Sequence, residues 1–238
     1  MASMTRSLTA VLLAAGVLAA AGSAGAARTD GPALRHTAAG AAAARASLLT
    51  RHDLGAGWTA TATRPSGLLV SCSGHRPSGA GIVETGDASS PTFAAGKVGP
   101  FIVQVTSVYA SEAQTSAYWK RAVTGGLVAC ARQSLQTITA RGIGVRVLSQ
   151  GALPLAKVAP MTAAYRVVAT LSSSAEKALK TYVDWILVGR GKELTEIMIS
   201  SFQPPPADFE HALALIADAR MGDGHGPAPR PGPKLPTA

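Results

Sequence analysis

Between Met161 and Ser201 three strand-like segments follow one another with hairpin-length links, and this run constrains the fold more than any other feature of the chain. Met161 to Leu171 alternates, with Met161, Ala163, Tyr165, Val167 and Ala169 on one side and Thr162, Arg166 and Thr170 on the other. A period of two is the signature of a half-buried strand. Tyr182 to Val188 and Glu193 to Ser201 flank "GRGK", whose Arg190-Gly191 pair suits a two-residue hairpin turn. That turn would pair Trp185 with Glu196 and Asp184 with Ile197, and it sets Glu196 on one face with Val183, Trp185, Leu187 and Met198. A further short strand is expected at Ile143 to Leu148. Upstream, "PTFAAGKVGPFIVQVTSVYAS" predicts two strands turning at Gly96 to Pro100.

Helices flank these strands. Ala-rich Gly40 to Arg51 is a helix candidate stopped by Gly55 and Gly57, with Trp58 plugging the turn against the core. Ser111-Glu112-Ala113-Gln114 fits a capping box opening a helix to about Gln136, in which Val123, Leu127 and Cys130 share a face. Gly125-Gly126 predicts a kink or close packing within it. Ala207 to Arg220 reads as an amphipathic helix after Pro204 to Pro206. Residues 64–90 are Gly/Ser/Pro-rich and read as a long loop. The expected fold is α+β: an antiparallel sheet of about five to seven strands, helices packed on one face, and one disulfide.

The N-terminal segment places the chain. Arg6, the apolar run Leu8 to Ala21 and the small residues Ala24-Gly25-Ala26 follow the order of a secretory signal peptide. An uncleaved anchor is the alternative, although the run is shorter than the ~20 residues that span a bilayer. The expected organisation is a signal peptide at 1–27, a flexible lead-in at 28–39, one domain at 40–220 and a Pro/Gly-rich disordered tail at 221–238. No later segment is long and apolar enough for a second span, so a secreted or cell-envelope location is expected. Cys72 and Cys130, an even pair in an exported chain, favour a disulfide over metal ligation or a catalytic thiol.

The formal net charge is +9, but its cations are scattered singly rather than gathered in a stripe, which argues against nucleic-acid binding. No Asn occurs, so N-linked glycosylation is excluded. The five histidines, at 36, 52, 75, 211 and 225, form no zinc spacing, and there is no P-loop and no Gly-x-Ser-x-Gly elbow. Ser174 to Lys177 matches Ser-x-x-Lys, but its companion motifs are missing and a chance match is the reading. No cofactor or metal is expected. The acid to explain is Glu196. If its face is core, the carboxylate needs a partner, with Arg166 the candidate. If the face lines a cleft, Trp185, Glu196 and Arg166 are ligand-binding candidates. A sheet face partly open to water would leave the acid merely solvated.

"LLTRHDLGAGWT" after a signal segment, "VTSVYASEAQTSAYWKRAVTGGLVAC", and the terminal strands with their helix carry a resemblance over roughly residues 40 to 220. The chain resembles exported sensor-type domains of actinobacteria, similar to the extracellular domain of mycobacterial receptor serine/threonine kinases and related secreted lipoprotein-like proteins. The resemblance implies an α+β domain that binds rather than catalyses. Those kinase domains carry two disulfides where this chain can make one. These 238 residues include no kinase segment and no lipidation Cys, and no family site residues carry over. The expected function is a non-enzymatic ligand-binding or sensor-like module of the envelope, its ligand a small apolar molecule, a glycan or an envelope component. An envelope hydrolase with a noncanonical site, or an adhesive protein using its basic surface, are the alternatives.

Overall fold

The computed structural model describes residues 31–62, 75–137, 144–172 and 178–222. Nine strands, β1 (Ala33–Leu34), β2 (Trp58–Thr61), β3 (Val83–Ser89), β4 (Thr92–Ala95), β5 (Phe101–Tyr109), β6 (Gly144–Ala152), β7 (Met161–Ser172), β8 (Leu179–Arg190) and β9 (Glu193–Ser201), form one sheet. Five helices pack on it: α1 (Ala38–Ala46), α2 (Arg51–Leu54), α3 (Glu112–Ala122), α4 (Gly125–Thr137) and α5 (Ala207–Arg220). The strand order is β1-β3-β5-β9-β8-β7-β6, with β4 extending the line of β3 along β5 and β2 pairing outside β4.

Three features of the expected fold are corrected. The sheet has nine strands rather than five to seven, and it is mixed, because β1 runs parallel to β3. Part of the excess comes from the segment read as a loop, where Val83–Ser89 pairs with β5. The helices cover both faces. On the first face α5, Leu49, Leu54 and Trp58 cluster with Ile102, Ile186, Val188, Ile197 and Ile199. On the second, Trp119, Val123 and Leu127 meet Val103, Val167, Val183, Trp185, Leu187 and Met198. The third correction concerns sulfur. Cys72 lies outside the described residues, so the described structure contains no Cys72–Cys130 disulfide to tie α4 to a neighbouring loop. Cys130 itself is buried on α4 and is not a free thiol.

Local chemistry accounts for the helix ends. Ser111 caps α3 by accepting from the Gln114 N–H, as the capping pattern predicts. The expected single helix is two, for α3 ends at Ala122, Val123 leaves helical geometry, and α4 restarts at Gly125. Three prolines precede α5, which turns Phe209, Leu213, Ile216 and Ala217 into the first face. Trp58 does plug the glycine turn, lying buried with its ring stacked on Phe209 at 6.0 Å. Gly40 of α1 meets Gly86 of β3 so closely that a Cβ at Gly40 would stand 2.3 Å from the Thr85 carbonyl oxygen.

The β8–β9 hairpin is the spine. Arg190 pairs with Glu193, so its turn is Gly191-Lys192, and Gly191 takes a positive φ of 55°. Trp185 faces Met198, Leu187 faces Glu196 and Asp184 faces Ile199. The register is thus two residues from the expected one. A shift of two leaves each side chain on its face, where a shift of one would have inverted them all.

Candidate functional site

Odd-numbered residues of β8 project onto the second face. Thr181, Val183, Trp185 and Leu187 form its midline, flanked by Tyr165 and Val167 of β7 and by Glu196 and Met198 of β9. Trp185 is opposite Met198 and Glu196 is opposite Leu187, so the indole and the carboxyl are diagonal neighbours. Diagonal pairs on a sheet remain within reach when side chains are long or aromatic. The structure therefore brings together two of the three residues singled out in the sequence.

Both are deeply buried, Trp185 at 6% exposure and Glu196 at 4%. Among the described residues, neither Trp185 Nε1 nor Glu196 Oε2 has a hydrogen-bond partner, and Thr181 Oγ1 on the same face has none. Burial raises the Glu196 carboxyl to about 8, which makes it a neutral acid over most of the physiological range. Burial also lifts the Tyr165 phenol above its ordinary value. Around these groups the surface is apolar and not fully closed: Val105, Ala163 and Tyr165 are only half-buried. His75 Nε2 is a further orphan, its ring resting against Gly126 in the first turn of α4. Native structures leave few buried polar atoms unpaired, so several on one face need an explanation.

Arg166 does not join them. It alternates with Tyr165 and so lies on the first face, opposite Asp184 in the β7–β8 ladder. Its guanidinium donates to both Asp184 oxygens, Nε to Oδ1 at 2.6 Å and Nη2 to Oδ2 at 2.8 Å, and it also contacts the Glu210 carboxyl of α5. Its ring-facing side lies 5.7 Å from the Tyr182 centroid. Burial, then the hydrogen bond and charge of Asp184, raise Glu210 to about 8, while Arg166 pulls the other way. The three side chains thus form one connected group between β7, β8 and α5. Its role is to anchor α5, and the expectation that Arg166 partners Glu196 or a ligand beside Trp185 is withdrawn.

Two other places were candidates for chemistry. The glycine turn lines a depression of about 460 Å³ with Arg51, His52, Gly55, Ala56, Gly57 and Trp58. It is a handover from helix to strand, with Thr50 donating to Asp53 and Asp53 held by Arg220 of α5. At the β1–β3 edge His36 Nε2 stands 3.4 Å from Asp87 and 3.8 Å from Glu84. These are the described residues whose ligand atoms are close enough to share a cation. A bulge at Thr85 sets Glu84 and Asp87, three residues apart, on one side of β3. The Ser174 to Lys177 match lies outside the described residues. No described helix is long and apolar enough to cross a membrane. Comparison with protein-family models finds no match, and none of the curated proteins matches the chain.

The orphan atoms are what sequence reading could not reach. Alternation identifies the face of Trp185 and Glu196, but only packing shows that Thr181 Oγ1 and His75 Nε2 also lack partners among the described residues.

Proposed function

We propose that the chain is an exported, non-enzymatic binding module whose ligand docks on the second face of the sheet, at Trp185, Glu196 and Tyr165. One observation carries this reading: a buried carboxyl oxygen and a buried indole N–H, diagonal neighbours on an apolar face, both lack partners among the described residues. A protein core closed for stability alone would favour an aliphatic residue at position 196, because a buried polar group without a hydrogen bond costs about 1–3 kcal/mol by mutational measures. A bound molecule supplies the missing partners.

The N-terminal leader pattern supports export, and the resemblance to exported sensor-type domains of actinobacteria fits a module of this kind. The ligand class is a small molecule with substantial apolar surface.

Native mass spectrometry of the protein recovered from culture medium tests the whole reading. The expected spectrum shows a mature chain beginning near residue 27 and carrying a co-purified small molecule, which Trp185→Ala releases. Protein retained in the cell with its leader intact, or a bare chain that takes up no apolar probe, overturns it.

A further inference from the structure

We infer that His36, Glu84 and Asp87 form a binding site for a divalent transition metal ion of the zinc class at the β1–β3 edge of the sheet. The inference is independent of the reading above, which concerns Trp185, Glu196 and Tyr165.

His36 Nε2 stands 3.4 Å from Asp87 Oδ1 and 3.8 Å from Glu84 Oε1, and the three ligand atoms all lie within 4.8 Å of one another. Zinc bonds imidazole nitrogen and carboxylate oxygen at about 2.0–2.2 Å, so neighbouring ligands of a tetrahedral ion stand about 3.3–3.6 Å apart. Both distances from the imidazole are close to that requirement, and half-exposed His36 and Asp87 have room to adjust.

The backbone holds the side chains in this arrangement. Arg35 donates its N–H to the Glu84 carbonyl and Thr37 to the Thr85 carbonyl, both at 2.8 Å, which fixes His36 between two rungs. The bulge between Glu84 and Gly86 does the rest, since on a regular strand residues 84 and 87 would face opposite ways. The spacing of the histidines could not show this, because the two acids join His36 only across the strand pair.

The donor set selects the ion. Imidazole suits zinc, copper and nickel, whereas calcium and magnesium take oxygen ligands. Two carboxylates offset the charge of a divalent cation, and the open side of the cluster leaves a fourth position to water. Asp53, Asp184 and Asp218 each bond an arginine, whereas Asp87 faces an imidazole. A guanidinium has no lone pair to offer a metal, and a neutral imidazole has one. A bound ion would join the segment just before α1 to the sheet through side chains as well as backbone, a clamp on the chain where it enters the domain.

Equilibrium dialysis of the untagged full chain against zinc chloride, with calcium and magnesium chloride in competing arms, tests the site. The expected result is one zinc per chain at micromolar free metal, undisturbed by excess calcium or magnesium. His36→Ala and Asp87→Asn should each weaken binding at least about tenfold, because losing even a group that only orients a ligand costs about 10–100-fold. Both positions are half-exposed, and Asp87→Asn keeps the side-chain shape, so the fold is retained. His52→Ala, whose imidazole is exposed on α2, should leave binding unchanged. Nitrogen NMR should show zinc moving the His36 Nε2 signal, and the Ala33, Arg35 and Thr37 amides should exchange more slowly with zinc bound. Zinc that fails to bind, that binds His36→Ala as tightly as the parent, or that calcium or magnesium displaces overturns the inference.

Discussion

Arg166 and Glu196 lie on opposite faces of one sheet, two strands apart, so the guanidinium that offsets Asp184 cannot reach the Glu196 carboxyl. Each face therefore settles its own electrostatics. The first does so with a three-residue ionic group, and the second leaves an acid neutral.

That acid makes stability depend on pH with a definite sign. The Glu196 and Glu210 carboxyls titrate near 8 in the folded chain against 4.5 for a free glutamate. Between those values the native state holds protons that the unfolded chain has released, so stability falls as pH rises through the window and is fully present below it. Thermal melts should therefore give a higher Tm at pH 5.5 than at pH 8.5. In Glu196→Leu the fall should be shallower, and that variant should exceed the parent by at least about 1 kcal/mol at pH 9, since replacing a buried ionisable group by an aliphatic one is commonly neutral or stabilising. A parent protein whose Tm is flat across this range would contradict the assignment.

Breaking the ionic group on the first face should be costly. Arg166→Met leaves Asp184 and Glu210 buried side by side with no cation, a loss of about 3–5 kcal/mol for a buried pair. The contrast is Arg190, which binds Asp218 in the same two-pronged way but is far more exposed. Arg190→Ala should cost no more than about 1 kcal/mol. Urea denaturation of both variants checks the difference.

Gly40 tests the approach of α1 to the sheet. In Gly40→Ala the new methyl meets the backbone of Thr85, which cannot rotate away. The expected destabilisation is about 1–3 kcal/mol, the usual range for overpacking. Hydrogen exchange should speed up at the Ala33, Arg35 and Thr37 amides, which bond to the Ile82, Glu84 and Thr85 carbonyls. Unchanged exchange there would argue that α1 is not held by this contact.

Gln104 is the polar joint between the first face and the chain after α1. Its Oε1 accepts from the Leu49 N–H, and its Nε2 donates to the Ser47 carbonyl and the Thr195 hydroxyl. Gln104→Leu should cost about 1–3 kcal/mol, because it orphans a buried amide and a buried carbonyl at once. Equilibrium unfolding measures the loss, and Gln104→Glu should recover only part of it.

Much of the spine could be read directly. Alternation placed Tyr165 and Arg166 on opposite faces of β7, and the capping signal located Ser111 at the head of α3. What misled was the assumption of a one-sided sheet. Asp184 to Val188 and Glu193 to Ser201 are buried without interruption, and strands covered on both faces lose the clean polar alternation that marks a solvent side. The broken alternation in "DWILVG" and "EIMISS" was thus itself the signal for helices on both sides. Register escaped because Gly191 fits either turn position, and only the partner strand decides. Val83 to Ser89 escaped because Glu84, Gly86 and Asp87 are poor strand formers, held extended by pairing with β5 rather than by local preference. The partnering of Arg166 depended on Glu210, which is distant in sequence and enters only when α5 folds back.

Interleaving on β8 has a practical consequence. Residues 183, 185 and 187 contact one set of helices, while 184, 186 and 188 contact the other, so a single twelve-residue segment carries two vocabularies read from opposite directions. A library randomised at the odd positions alone can therefore vary the face proposed to bind, with the packing that seats the C-terminal helix left untouched.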